Sequence, residues 1–234
     1  MAHGVGLVQV AAVTAPAPTL EADGLYRFYR AGDEETQALR GVELTVSTGE
    51  FVAITGPSGS GKSTLLACLA GLDEPDGGTV RVDGVRISHR PQAERTALRA
   101  RLIGMLFQSG NLLEHLTVRA NIDMVQRLAG RPDIAWRNTL LDGLGLTGRG
   151  RARPAQLSGG EAARAGLAVA LANQPAVLLA DEPTGELDRR TERQVLDLLR
   201  DRAGQGTAVV VASHSPAVAV AADRTIALAS GRLQ

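Results

Sequence analysis

Eight residues, Gly56-Pro57-Ser58-Gly59-Ser60-Gly61-Lys62-Ser63, follow the pattern G-x-x-x-x-G-K-[ST]. Glycines let such a loop wrap closely and turn its N–H groups inward, where they cradle phosphates. Lys62 can reach the β- and γ-phosphates of a nucleoside triphosphate, and the Ser63 hydroxyl can ligate Mg²⁺. A helix starting at the loop adds the positive end of its dipole. A second pair, Asp181-Glu182, closes the apolar run Ala176–Ala180. A carboxylate at the C-terminal tip of a parallel strand sits where open α/β sheets bind ligands. Asp181 is then placed to hold Mg²⁺, and Glu182 to orient or deprotonate an attacking water. A third group, Ser158-Gly159-Gly160-Glu161, lies 23 residues before Asp181. Its S-x-x-E spacing is a capping box, and its two glycines beside a free helix N-terminus make a second anion site. Two phosphate-seeking sites in one chain point to ATP held between two subunits.

These groups need a scaffold of alternating strands and helices. Leu20–Tyr29 and Val42–Val46 read as strands joined by a polar turn, Ala31–Thr36. Phe51–Thr55 is a short apolar run of the buried parallel type, and Ser63–Leu72 follows as a helix with Leu65, Leu66 and Leu69 on one face. Asp76-Gly77-Gly78 and Asp83-Gly84 punctuate a hairpin of Thr79–Val82 and Val85–Ile87. Leu102–Phe107 reads as another strand. Residues from about 109 to 157 read as an inserted helical lobe. Ala176–Ala180, Ala208–Ala212 and Thr225–Leu228 are strands between helices, one of which spans Thr191–Arg202, buries Val195, Leu198 and Leu199, and stops before Gly204. Such alternation predicts a mostly parallel sheet covered on both faces. Residues 1–18, small and proline-dotted, read as a loose tail.

Composition narrows the function. The 234 residues carry 25 basic and 25 acidic side chains, so no net charge is left to neutralise nucleic-acid phosphates. Six aromatic residues are too few for base-stacking platforms along a strand. One cysteine, Cys68, excludes an internal disulfide framework and a cysteine-based zinc site, and reads as a buried apolar residue. His3, His89 and His115 lack metal-ligand spacing. No apolar run approaches a membrane span, and Met1–Gly4 has no basic leader segment, so a soluble cytoplasmic α/β protein is expected. All but one of the basic residues are arginine, and the exception is Lys62.

Leu157-Ser158-Gly159-Gly160-Glu161 resembles the signature of the ATP-binding cassette (ABC) ATPases, and the other motifs fall in that family's order over about residues 19–234. Gln108 matches the Q-loop, Gly185-Glu186-Leu187-Asp188 the D-loop, and His214 the switch histidine. Tyr29 stands where the family stacks an aromatic ring on adenine. The stretches Tyr29–Val42, Leu106–Leu113 and Asp181–Gly185 are similar to the subfamily of lipoprotein-release, macrolide-export and cell-division ATPases. The resemblance implies a P-loop NTPase of ABC type, with a mostly parallel sheet flanked by helices, an antiparallel β subdomain and the inserted helical subdomain. It implies that Gly56, Pro57, Ser58, Gly59, Ser60, Gly61, Lys62, Ser63 and Thr64 bind the phosphates. Ser63, Gln108 and Asp181 would serve Mg²⁺, Glu182 would be the catalytic base, and His214 would contact the γ-phosphate. Ser158, Gly159 and Gly160 would contact ATP bound by an opposing subunit, with Asp188 at the dimer seam. The implied function is ATP hydrolysis by a homodimer or pseudo-dimer that drives a membrane permease from the cytoplasmic face, for export or extraction, with no nucleic acid involved. A division-type relative that signals without transport, or a low-turnover regulatory module, fits the same motifs.

The chain departs from the family after the signature. Where relatives continue with glutamines and a later arginine, it reads Ala162, Ala163 and Val169, while Arg164 is kept. Glu186 stands where the subfamily often has Asn. The Arg149/Arg151/Arg153 run reads as a solvated face. Leu112, Leu113, Leu116 and Val118 suit either lobe core or a groove for the permease.

Overall fold

The computed structural model describes residues 17–31 and 34–234. Most of the expected tail therefore lies outside the described residues.

Two sheets form the frame. The first is antiparallel, in the order β2-β1-β4-β5, and comprises β1 (Leu20–Ala31), β2 (Glu34–Val46), β4 (Gly77–Val82) and β5 (Val85–Arg86). The second, in the order β10-β9-β3-β8-β7-β6, comprises β3 (Phe51–Thr55), β6 (Ile103–Leu106), β7 (Val177–Asp181), β8 (Ala208–Ala212), β9 (Arg224–Ala229) and β10 (Arg232–Leu233). Within it β9, β3, β8, β7 and β6 run parallel, and only β10 is antiparallel.

The apolar runs of the parallel strands have the pattern that burial on both faces demands. In β3, Val52 and Ile54 join one core while Phe51 and Ala53 join the other. Val210 and Val211 of β8 divide in the same way. The first core is filled by the antiparallel sheet and α1 (Lys62–Leu69), with Leu65, Leu66, Cys68 and Leu69 all buried. The second is filled by α3 (Val118–Leu128), α4 (Ile134–Gly143), α5 (Gly159–Ala170), α6 (Arg189–Gly204) and α7 (Pro216–Ala221). α3 and α4 pack on α5 to form the helical layer between β6 and β7.

α5 lies unusually close to β6. A Cβ on Gly104 would meet the Ala170 carbonyl at 2.3 Å, and one on Gly166 would meet the Cβ of Asn111 at 2.8 Å. Hydrogen at both positions is what permits the approach.

Several boundaries differ from the sequence expectation. The turn expected at Ala31–Thr36 is shorter, because β2 already pairs with β1 at Glu34↔Ala31 and Thr36↔Tyr29, with register shifts absorbing the mismatch. The α1 helix ends at Leu69, and Gly71 (φ 63°) turns the chain away before Leu72. The strand read as Leu102–Phe107 is only Ile103–Leu106, because Leu102 closes a helix, α2 (Gln92–Leu102), absent from the sequence reading. α6 runs through Gly204 rather than stopping before it. It buries Leu196 and leaves Leu198 only partly covered.

Candidate functional site

The parallel register brings the C-terminal tips of four strands side by side. Ile54 of β3 pairs with Ala212 of β8, Ala212 with Asp181 of β7, and Ala180 of β7 with Leu106 of β6. The glycine-rich loop leaves β3, Glu182 follows β7, His214 follows β8 and Gln108 follows β6. Side chains spread over more than 150 residues of chain thus meet at one edge, as ligand sites of open α/β sheets do.

They line a cavity of about 890 Å³. Tyr29, Gly56, Pro57, Ser58, Gly59, Gly61, Lys62, Ser63, Thr64, Gln108, Asp181, Glu182 and His214 all contribute to its wall. Ser60 does not. It is buried, its N–H bonds the Pro57 carbonyl at 3.2 Å, and its carbonyl accepts from Gly231 at 3.1 Å, so it braces the loop from behind. Gly185, from the stretch expected as the D-loop, also lines it, and the rest of the wall was not foreseen: Thr36, Gln37, Ala38 and Arg40 of β2, and Ser230 and Gly231 of the β9–β10 turn. This backbone packs hard against the loop. A Cβ on Gly61 (φ 104°) would lie 2.6 Å from the Ala38 carbonyl, and one on Gly56 2.2 Å from that of Leu228.

The Lys62 ammonium donates to the carbonyls of Gly56 (2.8 Å) and Pro57 (3.1 Å). The cation is thereby held over the loop, ahead of the α1 N-terminus. Opposite it, Glu182 adopts φ 45°, a strained conformation for a non-glycine residue. Its N–H bonds the Ala212 carbonyl at 2.9 Å. The Ser213 hydroxyl donates to Oε2 at 2.8 Å, and His214 Nδ1 lies 2.9 Å from Oε1. Burial pushes the Glu182 carboxyl up, but the bonds from His214 and Ser213 outweigh it and hold it below its ordinary value. An ionised carboxylate is therefore the resting state of this group.

Gln108 is fixed by its surroundings. Asn111 closes the turn around it, accepting from the Phe107 N–H (2.8 Å) and donating to the Phe107 carbonyl (2.6 Å). The Gln108 amide nitrogen reaches Glu186 at 3.4 Å. Ser63, Gln108 and Asp181 bring a hydroxyl, an amide and a carboxylate to the one cavity. These are hard oxygen donors of the kind Mg²⁺ takes alongside nucleotide phosphates, so the residues fit that ion.

Ser158, Gly159, Gly160 and Asp188 stand apart from this cavity. They gather at the adjoining N-termini of α5 and α6. A Cβ on Gly160 would meet Thr191 Cγ2 at 2.9 Å, and Asp188 caps α6 by accepting from Arg190 and Thr191. The Thr191 hydroxyl and N–H hold the Asp188 carboxyl low. The capping box at Ser158 is complete, with Ser158 N–H donating to Glu161 (2.8 Å) and Glu161 N–H to Ser158 Oγ (3.3 Å). Arg149 is exposed, as Arg151 and Arg153 are, and its Nε donates to Glu161 at 2.6 Å. The Ser158 N–H and the Arg149 guanidinium bring the Glu161 carboxyl down to about 2. Cys68 is buried, and that burial pushes its thiol up to about 12. His89 bonds the Gly78 carbonyl at 2.8 Å, an ordinary structural role.

Comparison with known proteins gives this arrangement a family. The family model described as ABC transporter matches residues 39–185. The chain is 43% identical over 218 residues to a macrolide export ATP-binding/permease protein of Nitrobacter winogradskyi, covering 92% of this chain and 34% of that protein. It thus spans about a third of the length of such macrolide-export relatives. It is also 43% identical over 221 residues to a lipoprotein-releasing system ATP-binding protein of Bordetella pertussis, covering 93% of this chain and 96% of that one. The dimeric structure of the bacterial ABC transporter cassette MJ0796 superposes with a TM-score of 0.84 at 34% identity, covering 92% of this chain and 96% of that one. A post-hydrolysis dimer of the same cassette, bound to ADP and Pi, gives 0.83. No helix among the described residues is long and apolar enough to cross a membrane. The chain therefore belongs to the ABC transporter family, and over its length it matches that family's ATP-binding cassettes.

Proposed function

We propose that the chain binds MgATP in the cavity between β3, β7 and β8 and hydrolyses it, and that a pair of such cassettes closing on two nucleotides does mechanical work on a membrane permease. The observation that carries this reading is the convergence of Lys62, Asp181, Glu182, Gln108 and His214 on one cavity. Each has a distinct task. The loop N–H groups and Lys62 bind the β- and γ-phosphates, with the ammonium exchanging its two carbonyl partners for phosphate oxygens. Glu182, ionised and oriented by Ser213 and His214, takes the proton of the attacking water. His214, its ring 75% exposed at the cavity edge, swings to the γ-phosphate. Ser63, Gln108 and Asp181 would hold Mg²⁺, which would supply positive charge against the phosphates.

Ser158, Gly159, Gly160 and Asp188, lying outside the cavity, are free to reach ATP bound by a second subunit, in a head-to-tail dimer. That the macrolide-export relatives carry ATP-binding and permease functions in one protein supports a permease partner, and so a peripheral position at the cytoplasmic membrane face. The lipoprotein-releasing relative supports export or extraction as the direction of work. The residue assignment, the 19–234 cassette and its 109–157 helical subdomain form one proposal. Phosphate release from MgATP by the purified chain, alone and with its co-purifying membrane protein, tests it. Absence of turnover in both preparations would remove the catalytic reading.

A further inference from the structure

Beside the cavity lies a cluster that none of the motifs contains. Arg27 and Tyr29 stand two apart on β1 and so project from the same face. Asp73 lies in the segment that follows α1. Arg27 grips it with a fork, Nε to Oδ2 at 2.9 Å and Nη2 to Oδ1 at 2.8 Å. The Tyr29 hydroxyl donates to the same Oδ2 at 2.7 Å, and the Glu74 N–H to Oδ1 at 2.9 Å. All four acceptor positions of the carboxylate are thus filled. The guanidinium also reaches Asp76 at 3.2 Å, which is itself held by the Phe28 N–H at 2.7 Å. Finally, the Arg27 guanidinium sits over the Tyr29 ring, 4.7 Å from its centre.

We propose that Arg27 and Asp73 are positioning residues for the base of the nucleotide: they hold the Tyr29 ring by its hydroxyl and one face, leaving the other face for adenine to stack on. The inference rests on the reading of Tyr29 as the base-stacking aromatic. Tyr29 lines the cavity and keeps 39% of its surface exposed, enough to be covered by a base. An unrestrained side chain would lose rotamer freedom on binding, and a ring already fixed does not. Burial and the bond to Asp73 hold the Tyr29 phenol protonated, above its ordinary range, so it remains a donor to that carboxylate. Asp73 lies just past the helix that begins at Lys62, and its N–H bonds the Ala67 carbonyl of that helix at 3.1 Å, so the ring's anchor is tied to the element that presents the ammonium. The spacing between base and phosphate subsites is then fixed before ATP arrives.

The test compares steady-state hydrolysis of MgATP by the full chain with inhibition by inorganic tripolyphosphate, which has phosphates and no base. Tyr29→Ala is expected to raise KM about tenfold, the usual effect of removing a stacking partner. Tyr29→Phe, Asp73→Asn and Arg27→Lys are each expected to raise KM about threefold, the effect of freeing one side chain. In these three variants kcat should fall less than about twofold and the tripolyphosphate inhibition constant should stay put. The double variant Tyr29→Phe/Asp73→Asn should raise KM by less than the product of the two single effects, because both changes act on the Tyr29–Asp73 bond. If Tyr29→Ala raises KM while Tyr29→Phe, Asp73→Asn and Arg27→Lys match the wild type, the positioning role is overturned and base stacking survives. If Tyr29→Ala leaves KM unchanged, stacking itself fails, and the positioning role with it. Equal weakening toward ATP and tripolyphosphate marks a merely structural cluster and also overturns the proposal. Should Asp73→Asn not fold, Tyr29→Phe, which removes one oxygen, decides the matter alone.

Discussion

His214 Nδ1 lies 2.9 Å from Glu182 Oε1, so the loop after β8 holds the acid after β7 by both oxygens, Ser213 taking the other. The carboxylate is fixed in direction and kept ionised before any substrate enters. For Glu182→Gln we expect ATP to bind normally and hydrolysis to fall by a factor of about 10² or more, the usual worth of a general base. The ATP-bound dimer should persist on gel filtration. Phosphate release near the wild-type rate would remove Glu182 as the base.

Lys62 is held between two loop carbonyls at 2.8 and 3.1 Å. A compact ammonium fits that space, whereas a planar guanidinium with five donors in a fixed fork does not. Lys62→Arg should therefore cut hydrolysis severely, by about tenfold or more, although the charge is kept. That the chain is otherwise wholly arginine at its basic positions makes the comparison apt. Turnover and nucleotide affinity measured together check it, and normal values for both would sink the steric argument.

Glu161 titrates at about 2 in the folded chain, against 4.5 ordinarily, through the Ser158 N–H and Arg149. Its folded value is depressed, so the stability it adds is fully present above pH 4.5 and is lost as pH falls toward 2. Glu161→Gln should melt below the wild type at pH 7, and the gap should narrow over that window. Melting curves across pH give the answer. A gap independent of pH would show that charge at Glu161 adds nothing.

A methyl group on Gly104 has no room, with the Ala170 carbonyl 2.3 Å from where it would stand. Gly104→Ala should cost about 1–3 kcal/mol, as overpacking does, with α5 forced off β6. Urea denaturation measures it. An unchanged midpoint would mean that the helix shifts freely.

The motifs were legible because each task demands particular residue types, and the parallel strands because burial on both faces leaves an apolar run such as Ala208–Ala212. Other parts left no such trace. α2 has no buried residue and touches the core only through the partly covered Leu98 and Leu102, so it carried little periodicity. The start of β2 is polar and partly exposed, and it supplies cavity wall by lying near the loop, not by residue type. Asp73 and Tyr29 are 44 residues apart, and nothing local in either segment announces their bond. The bond from the exposed Arg149 to Glu161 left no trace in the sequence either, because Glu161 is already accounted for as half of a capping box.

The two glycines that let α5 press onto β6 give the helical layer no slack. Gly166 bears on Asn111, which clamps the turn holding Gln108, while the far end of the same helix presents Ser158. Close-packed contacts of this kind transmit displacement instead of absorbing it. Whatever tilts α5 to meet a neighbouring molecule must also drag the amide of Gln108 across the cavity, so that encounter and catalysis are geared to a single shaft.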